Sequence, residues 1–279
     1  MAYSAVSGFF IQDDPAAVPT IIGALPVRLG LIDDSIERWK TFKKKLDQLN
    51  AEGDAVYKLV YLCRHGQGYH NVAESKYGTE AWDAYWSTLN GDDELTWGPD
   101  PLLTPVGQGQ AVDAREAWKA ELEFGIPTPE RCYASPLRRA LDTWTITMGG
   151  EGEHRVLPEA SRRVTILENC REEYGIHTCD LRSPLSSLQR LYPPPMYTFE
   201  DGFREEDPVW REGERETKEN IARRALTVLD VIFRGDRDGA IVSITAHGGF
   251  INGFLAAIGR PSYALPTGGI LPVVVKYAI

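Results

Sequence analysis

The stretch Leu62-Cys-Arg-His-Gly-Gln-Gly-Tyr-His-Asn71 overlaps an apolar run at residues 57–63 that is typical of a buried strand. A strand that ends in Arg-His-Gly places a cation and an imidazole at the carboxyl edge of a sheet, where open α/β sheets bind ligands. The glycines of the stretch allow sharp turns and bring amide groups close to a ligand. Arg64 offers a rigid fork of donors suited to phosphate, and His65 is a candidate nucleophile, base or metal ligand.

The composition is that of an ordinary globular protein with an acidic balance. The 279 residues are 43% hydrophobic and carry a formal charge of −10, with no basic block beyond Lys43-Lys44-Lys45. Nucleic acid and anionic membranes are therefore not predicted as partners. The N-terminus lacks the basic and apolar regions of a signal peptide, and the four cysteines have no CxxC spacing. We predict a reduced protein with a cytoplasmic location and no membrane span.

Strand-like runs alternate with helical patterns along the chain, which predicts a mostly parallel central sheet with helices on both faces, an α/β fold. The further strand-like runs are 131–135, 164–167, 240–245 and 270–277. The helical patterns are 34–53, 105–122 with Thr104 as N-cap and Pro105 at the first position, a helix after Pro136, 210–234, and one through Leu255 and Ile258. No internal repeat or linker is visible, so residues 1–279 are predicted to form a single domain.

Three segments lie outside this regular alternation. Residues 1–56 are predicted to form an N-terminal arm followed by a helix capped by Asp34 or Ser35. Residues 72–103 are acidic and rich in aromatic side chains, and residues 176–208 are rich in proline. Both are long for simple connections, so we interpret them as lid insertions over the sheet edge. The tryptophans of the first insertion suit either a lid or an ordinary core.

Three predicted strand-to-helix turns bring polar groups to the same sheet edge, namely Arg64, His65 and Asn71; Ser135 and Arg139; and His247, Gly248 and Gly249. This set suits one phosphoryl group, because arginines, glycine amides and helix N-termini neutralise its oxygens. One histidine can attack phosphorus while the other stabilises the transferring group. A metal site competes with this interpretation, but the arginines would repel a cation and no HExxH spacing is present. No metal or other cofactor is predicted.

Four motifs together resemble the histidine phosphatase superfamily, in its phosphoglycerate-mutase-like branch. They are Leu62-Cys-Arg-His-Gly-x-x-x-x-Asn71, Leu103-Thr-x-x-Gly-x-x-Gln-Ala111, Ser135-Pro-Leu-x-Arg-Ala140 and Ala246-His-Gly-Gly249. The resemblance covers most of the chain from residue 57 to about residue 255. Residues 1–56, Lys-Tyr-Gly-Thr79 and Cys170-Arg-Glu-Glu-Tyr-Gly-Ile-His-Thr-Cys-Asp-Leu-Arg182 look like a cytosolic subgroup of fungi and plants.

The resemblance implies a role for each of the predicted site residues. His65 would be the nucleophile that becomes phosphohistidine, and the phosphoryl group would be held by Arg64, Arg139 and His247, with help from Asn71 and Gly248. The general acid would be Glu172, with Glu168 and Glu173 as neighbouring alternatives. Many members of the family carry Ser or Thr where this chain has Gly68, so one hydroxyl contact to phosphate is expected to be absent.

The leading hypothesis is a metal-independent phosphomonoester hydrolase that acts on a small phosphorylated metabolite. A phosphomutase is an alternative, because a lid could keep water from the phosphohistidine. A second alternative is the same pocket recruited for elimination or dehydration of a carboxylated metabolite, with the arginines binding carboxylate. A silent binding module is a third. The sequence leaves the substrate and the oligomeric state open, with a homo-oligomer among the alternatives.

Overall fold

The computed structural model describes residues 2–235 and 239–279. In this part of the chain seven strands form one sheet in the order β1-β7-β2-β6-β3-β4-β5. The strands are β1 (Tyr3–Val6), β2 (Ala55–Arg64), β3 (Arg131–Ala134), β4 (Val164–Ile166), β5 (Tyr197–Phe199), β6 (Ile241–Ala246) and β7 (Ile270–Ala278). β2, β6, β3, β4 and β5 are parallel to one another, whereas β7 is antiparallel to both β1 and β2.

Helices cover both faces of the sheet, so the predicted α/β architecture is confirmed. They are α1 (Pro19–Ile22), α2 (Arg38–Ala51), α3 (Tyr69–Tyr77), α4 (Thr79–Ala84), α5 (Pro105–Leu122), α6 (Arg138–Met148), α7 (Leu185–Leu191), α8 (Lys218–Asp230) and α9 (Gly248–Ala257). Alternate side chains of β2 point to opposite faces. Tyr61 joins one core with α2, α5 and α6, and Leu62 joins a second core with α8 and α9. Within the described residues no helix is long and apolar enough to cross a membrane.

Two short strands were missed by the sequence prediction. The N-terminal arm predicted at the start of residues 1–56 contains β1, which pairs with β7 and forms one edge of the sheet. The other edge is β5, which lies inside the proline-rich segment 176–208 that was interpreted as a lid insertion without a strand. β1 and β5 are as short as β3 and β4, but they lie in segments without the alternation of strand-like and helical patterns that indicated those two.

The predicted starts of two helices are wrong, and in both cases an aspartate forms a local turn that competes with the helix. Asp33 accepts a hydrogen bond from the Ser35 amide at 2.9 Å, and α2 begins only at Arg38, without a side-chain cap from Asp34 or Ser35. Asp207 likewise accepts the amides of residues 209 and 210 at 3.0 and 2.9 Å. α8 therefore begins at Lys218, after the N-cap Thr217, rather than at residue 210.

The segments 72–103 and 176–208 pack against each other. Trp82, Trp97 and Cys179 are buried in a third, small apolar cluster, and the Thr178 hydroxyl donates to the Leu89 carbonyl at 2.6 Å. The buried Asp100 carboxylate accepts the Arg138 amide and the Ser183 hydroxyl at 2.8 and 2.7 Å. Trp82 and Trp97 are thus core residues of the insertions, and Trp82 also lines the pocket described below.

Candidate active site

The sheet register brings the two motif histidines together. Arg64 of β2 lies opposite Ala246 of the parallel neighbour β6, so the next residues, His65 and His247, leave the sheet side by side. Their ring centroids are 4.9 Å apart. Ser135 follows β3 on the other side of β6 and contacts His247. The carboxyl edge of the sheet therefore assembles groups that are far apart in sequence, as expected for parallel strands.

The Arg-His-Gly turn packs tightly on the first turn of α5. A Cβ atom at Gly66 would lie 2.2 Å from the Gly107 carbonyl oxygen, so only glycine allows this approach. Thr104 caps α5 by accepting the Gly107 amide at 3.0 Å, and its hydroxyl lies 2.8 Å from Gln67 Oε1. The predicted N-cap at Thr104 and the proline at the first helical position are confirmed. The Leu-Thr-x-x-Gly motif thus holds the turn that carries His65.

His65 is buried and has one nitrogen fixed by the backbone. Its Nδ1 lies 2.6 Å from the Gly66 carbonyl oxygen, which can only accept, so the proton of the neutral ring is on Nδ1 and the lone pair is on Nε2. Burial, reinforced by the charges of Arg139 and Arg64, lowers the pKa of His65 well below its usual value. The ring is therefore neutral at pH 7, which is the state that a nucleophile requires.

His247 is positioned through Ser135. Its Nε2 lies 2.7 Å from Ser135 Oγ, and that oxygen also accepts the Leu137 amide at 3.2 Å. The Ser135 hydroxyl can donate to Nε2, and in that tautomer the neutral His247 ring carries its proton on Nδ1. His247 Nδ1 is buried and has no partner among the described residues. In that tautomer, Nδ1 is an unused N–H donor beside His65.

In each motif arginine, some guanidinium N–H groups donate hydrogen bonds within the protein and another has no partner among the residues that the structure describes. Arg139 is fully buried and donates to the Cys179 carbonyl and to Asp180 Oδ1, both at 2.8 Å. Arg64 donates to the Leu265 carbonyl at 2.7 Å. The Nε atoms of both arginines are buried and lack a partner within the described chain. Buried donors without partners are rare in proteins, and an anion in this position would satisfy them.

The carboxylate of Glu172 lies at the N-terminus of α9. It accepts the amides of Gly249 and Phe250 at 3.1 and 3.2 Å, and the amide of Glu173 at 2.9 Å. A helix N-terminus stabilises negative charge through its free N–H groups and its dipole. This helix follows His247 directly, so the same segment positions both the second histidine and the carboxylate.

The two neighbouring glutamates are engaged elsewhere. Glu168 pairs with Arg171 and Arg182 at 2.9 and 3.0 Å and does not line the pocket. Glu173 lines the pocket but forms ion pairs with Arg215 and Lys218. Among the three candidates, Glu172 is thus the pocket carboxylate held by amides rather than by cations.

A cleft of about 510 Å³ is lined by the predicted residues Arg64, His65, Asn71, Arg139 and Glu172. His247 is fully buried behind this wall, beside His65, and does not line the cleft. Gly249 forms part of the wall, whereas a Cβ atom at Gly248 would lie 3.5 Å from the Arg64 guanidinium carbon. Gly248 thus packs against Arg64. Asn71 accepts the Gly68 amide at 2.9 Å and caps α3. The wall also contains groups to which sequence analysis gave no role, chiefly His70, Trp82, His177, Asp180, Arg215 and Lys218.

Asp180 links two of the cations in the wall. Its carboxylate pairs with Arg139 at 2.8 Å and with Arg215 at 3.0 Å. Burial opposes ionisation of Asp180, but the charges of Arg215 and Arg139 outweigh it and lower the pKa. The sequence prediction gave Arg215 no role, because it placed this residue in a regular helix that begins at residue 210. In the structure Arg215 lies in the irregular segment before α8.

One group of side chains has the composition of a metal site. The ligand atoms of His177, Cys179 and Asp180 lie within 4.8 Å of one another. Both oxygens of Asp180, however, accept hydrogen bonds from Arg139 and Arg215. A metal ion would have to compete with two guanidinium groups for this carboxylate, so these residues fit a cation poorly. The absence of a metal requirement stays a prediction.

Three histidines, the buried His65 and His247 and the partly buried His70, predict a loss of stability on mild acidification. Burial, reinforced by Arg139, lowers the pKa of each well below 6.5 in the folded protein. Below about pH 6.5 the unfolded chain therefore binds more protons than the folded one, so stability is greatest above that pH and falls below it. Each histidine contributes up to about 1.4 kcal/mol per pH unit. Urea unfolding should give a smaller free energy at about pH 5.5 than at about pH 7.5, and equal values would contradict the prediction.

The chain matches a known family over most of its length. Residues 60–267 match the model of the histidine phosphatase superfamily (branch 1). A protein of Arthroderma benhamiae named "Probable phosphoglycerate mutase" is 38% identical over 290 residues, which is 99% of this chain and 84% of the relative.

Two further relatives extend the match to yeast and plants. A Saccharomyces cerevisiae protein, also named as a probable phosphoglycerate mutase, is 35% identical over 80% of each chain. "Phosphoglycerate mutase-like protein 1" of Arabidopsis thaliana is 33% identical over 70% of this chain and 69% of the relative. The resemblance to phosphoglycerate-mutase-like proteins of fungi and plants is thereby confirmed.

Proposed function

The chain belongs to the histidine phosphatase superfamily, and we propose that it hydrolyses a phosphomonoester of a small metabolite, without a metal ion, through a phosphohistidine on His65. The observation that carries the proposal is the state of His65. It is a neutral ring with its proton fixed on Nδ1 by the Gly66 carbonyl, beside the unused donors of two arginines and of His247. A lone pair beside donors for phosphoryl oxygens is what in-line phosphoryl transfer requires.

The first step transfers the phosphoryl group to the protein. The lone pair on His65 Nε2 attacks phosphorus, an N–P bond forms, and the ester O–P bond breaks. Glu172 donates its proton to the departing alkoxide. Arg64, Arg139 and the Nδ1–H group of His247 stabilise the charge on the phosphoryl oxygens.

The second step returns the enzyme to its starting state. The Glu172 carboxylate takes a proton from a water molecule, whose oxygen attacks phosphorus. The N–P bond then breaks, orthophosphate leaves, and His65 regains its lone pair. Glu172 holds a proton again and is ready for the next substrate. We further propose that residues 1–279 act as one domain in which the insertions 72–103 and 176–208 select the substrate, since both contribute to the wall of the cleft.

The relatives' names favour phosphoglycerate mutation as a second candidate. A mutase must return the phosphoryl group to the bound organic product before water reaches it. Incubation with a phosphoglycerate separates the two activities, because a mutase interconverts the isomers without loss of ester phosphate, whereas a hydrolase releases orthophosphate. We expect release of orthophosphate to dominate.

Turnover of an aryl phosphate in the presence of a metal chelator tests the proposed hydrolase. We expect steady release of orthophosphate at the same rate with and without the chelator. Competitive inhibition by orthovanadate should accompany it, because vanadate adopts the geometry of the transition state. Absence of turnover on a panel of aryl and alkyl phosphates would contradict the proposal, and tight binding of carboxylates without turnover of phosphates would favour the acid/base alternative.

A further inference from the structure

One histidine beside the nucleophile has no task in the mechanism above. His70 is the second residue of α3, and its ring lines the cleft with a centroid 5.4 Å from that of His65. The ring of His247 flanks His65 at a similar distance, 4.9 Å. His70 Nδ1 is buried and has no hydrogen-bond partner in the described part of the chain. The neutral ring can therefore carry its proton on Nε2 and offer it to a ligand in the cleft.

The backbone at Gly68 makes room for this ring. A Cβ atom at position 68 would lie 2.6 Å from His70 Nδ1 and 2.8 Å from its Cε1 carbon. Such distances are shorter than van der Waals contact, so a side chain at position 68 and the His70 ring compete for the same volume. The Asn71 side chain fixes the local geometry by accepting the Gly68 amide at 2.9 Å. The glycine and the histidine thus form a coupled pair.

We propose that His70 binds the phosphoryl group of the substrate through a ring N–H, from the space that a side chain at position 68 would otherwise fill. The inference rests on the proposed function and deepens it by adding a second histidine donor beside His65. The ring centroids of His70 and His247 lie 5.4 and 4.9 Å from that of His65, so both rings are close enough to approach a phosphoryl group attached to His65. Burial next to Arg139 lowers the pKa of His70, so the ring binds as a neutral donor.

Substitutions at both positions test the pair. His70→Ala should lower kcat/KM for an aryl phosphate by about 10- to 100-fold and weaken orthovanadate inhibition in parallel, because one transition-state donor is lost. Adding Gly68→Ser to His70→Ala places a hydroxyl in the vacated space and should recover about 5-fold or more of the loss. The matched control, Gly68→Ala with His70→Ala, supplies the methylene without the donor and should recover nothing. His70→Asn keeps an N–H donor and serves if the alanine variant fails to fold.

The outcomes separate this inference from the proposed function. Unchanged kcat/KM and vanadate affinity in folded His70→Ala, with an active wild-type protein, would overturn the inference and leave the proposed function intact. Equal recovery by serine and alanine at position 68 would show that His70 only fills space, which also overturns it. If the wild-type protein has no turnover, calorimetric binding of inorganic phosphate replaces kinetics. Binding that is weakened by His70→Ala and recovered by serine supports the inference, and any other pattern overturns it.

Discussion

The His65→Asn variant loses phosphatase turnover by about 10⁴-fold or more, which is the scale seen when a covalent nucleophile is removed. Asparagine has a similar size and keeps an N–H group that can donate to the Gly66 carbonyl, but its amide has no nucleophilic lone pair. The matched control is His154→Asn, because His154 has a half-exposed side chain on a surface loop. Initial rates of orthophosphate release under identical conditions measure both variants, and the control should keep wild-type activity.

Covalent trapping distinguishes loss of the nucleophile from a general disturbance of the pocket. Rapid quenching of the wild-type protein during turnover should yield a phosphoryl group that is stable in base and released in acid, as expected for an N–P bond. The His65→Asn variant should yield none while it still binds orthovanadate. Its thermal unfolding midpoint should show that it is folded. Residual turnover above about 1% of wild type would assign the attack on phosphorus to another group.

Much of the candidate site could be predicted because its parts lie in local sequence patterns. Arg64, Ser135 and His247 each follow an apolar strand-like run, and each run ends at the same edge of a mostly parallel sheet. The strand order could not be predicted, since pairing of β2 with β6 joins residues that are far apart in the chain. That pairing, with Arg64 opposite Ala246, is what places His65 beside His247.

The unpredicted parts of the site depend on contacts between distant segments. Arg215 enters the cleft only because the chain before α8 is irregular, and Asp180 acquires its role by bridging Arg215 and Arg139. His70 is another residue of the cleft that was not predicted to belong to the site. Its position beside the nucleophile follows from helical geometry after Gly68, but its missing hydrogen-bond partner could be recognised only from the packed structure.

Glu172 is the residue for which the structure sharpens the sequence prediction most. Glu168, Glu172 and Glu173 have the same chemistry, so the sequence could not rank them by physical argument. Distant partners separate them, because Arg182 engages Glu168 and Arg215 engages Glu173. Only Glu172 reaches the first turn of α9 behind His247. We propose that Glu172 is the general acid and base. The contribution of its proton to the rate is expected to depend on the leaving group of the ester.

The Glu172→Gln variant should lose about 10²- to 10⁴-fold in the rate of the first turnover on an alkyl phosphate, because an alkoxide needs a proton to leave. The first turnover on p-nitrophenyl phosphate should fall by less than about 10-fold, since the nitrophenolate leaves without one. Steady turnover of the aryl ester should then follow a burst of nitrophenol, because water attack on the phosphohistidine also loses its base. Rapid-mixing measurements of leaving-group release check all three expectations.

Two matched variants decide whether this dependence belongs to Glu172. Glu173→Gln removes a carboxylate in the same wall but breaks only ion pairs with Arg215 and Lys218, so it should affect aryl and alkyl esters equally. Glu168→Gln weakens the pairs with Arg171 and Arg182 outside the cleft and should lower stability rather than alter the preference for leaving groups. A leaving-group dependence that appears in Glu173→Gln and not in Glu172→Gln would assign the proton to Glu173. The amides of Gly249 and Phe250 would then be holding Glu172 as a structural cap of α9.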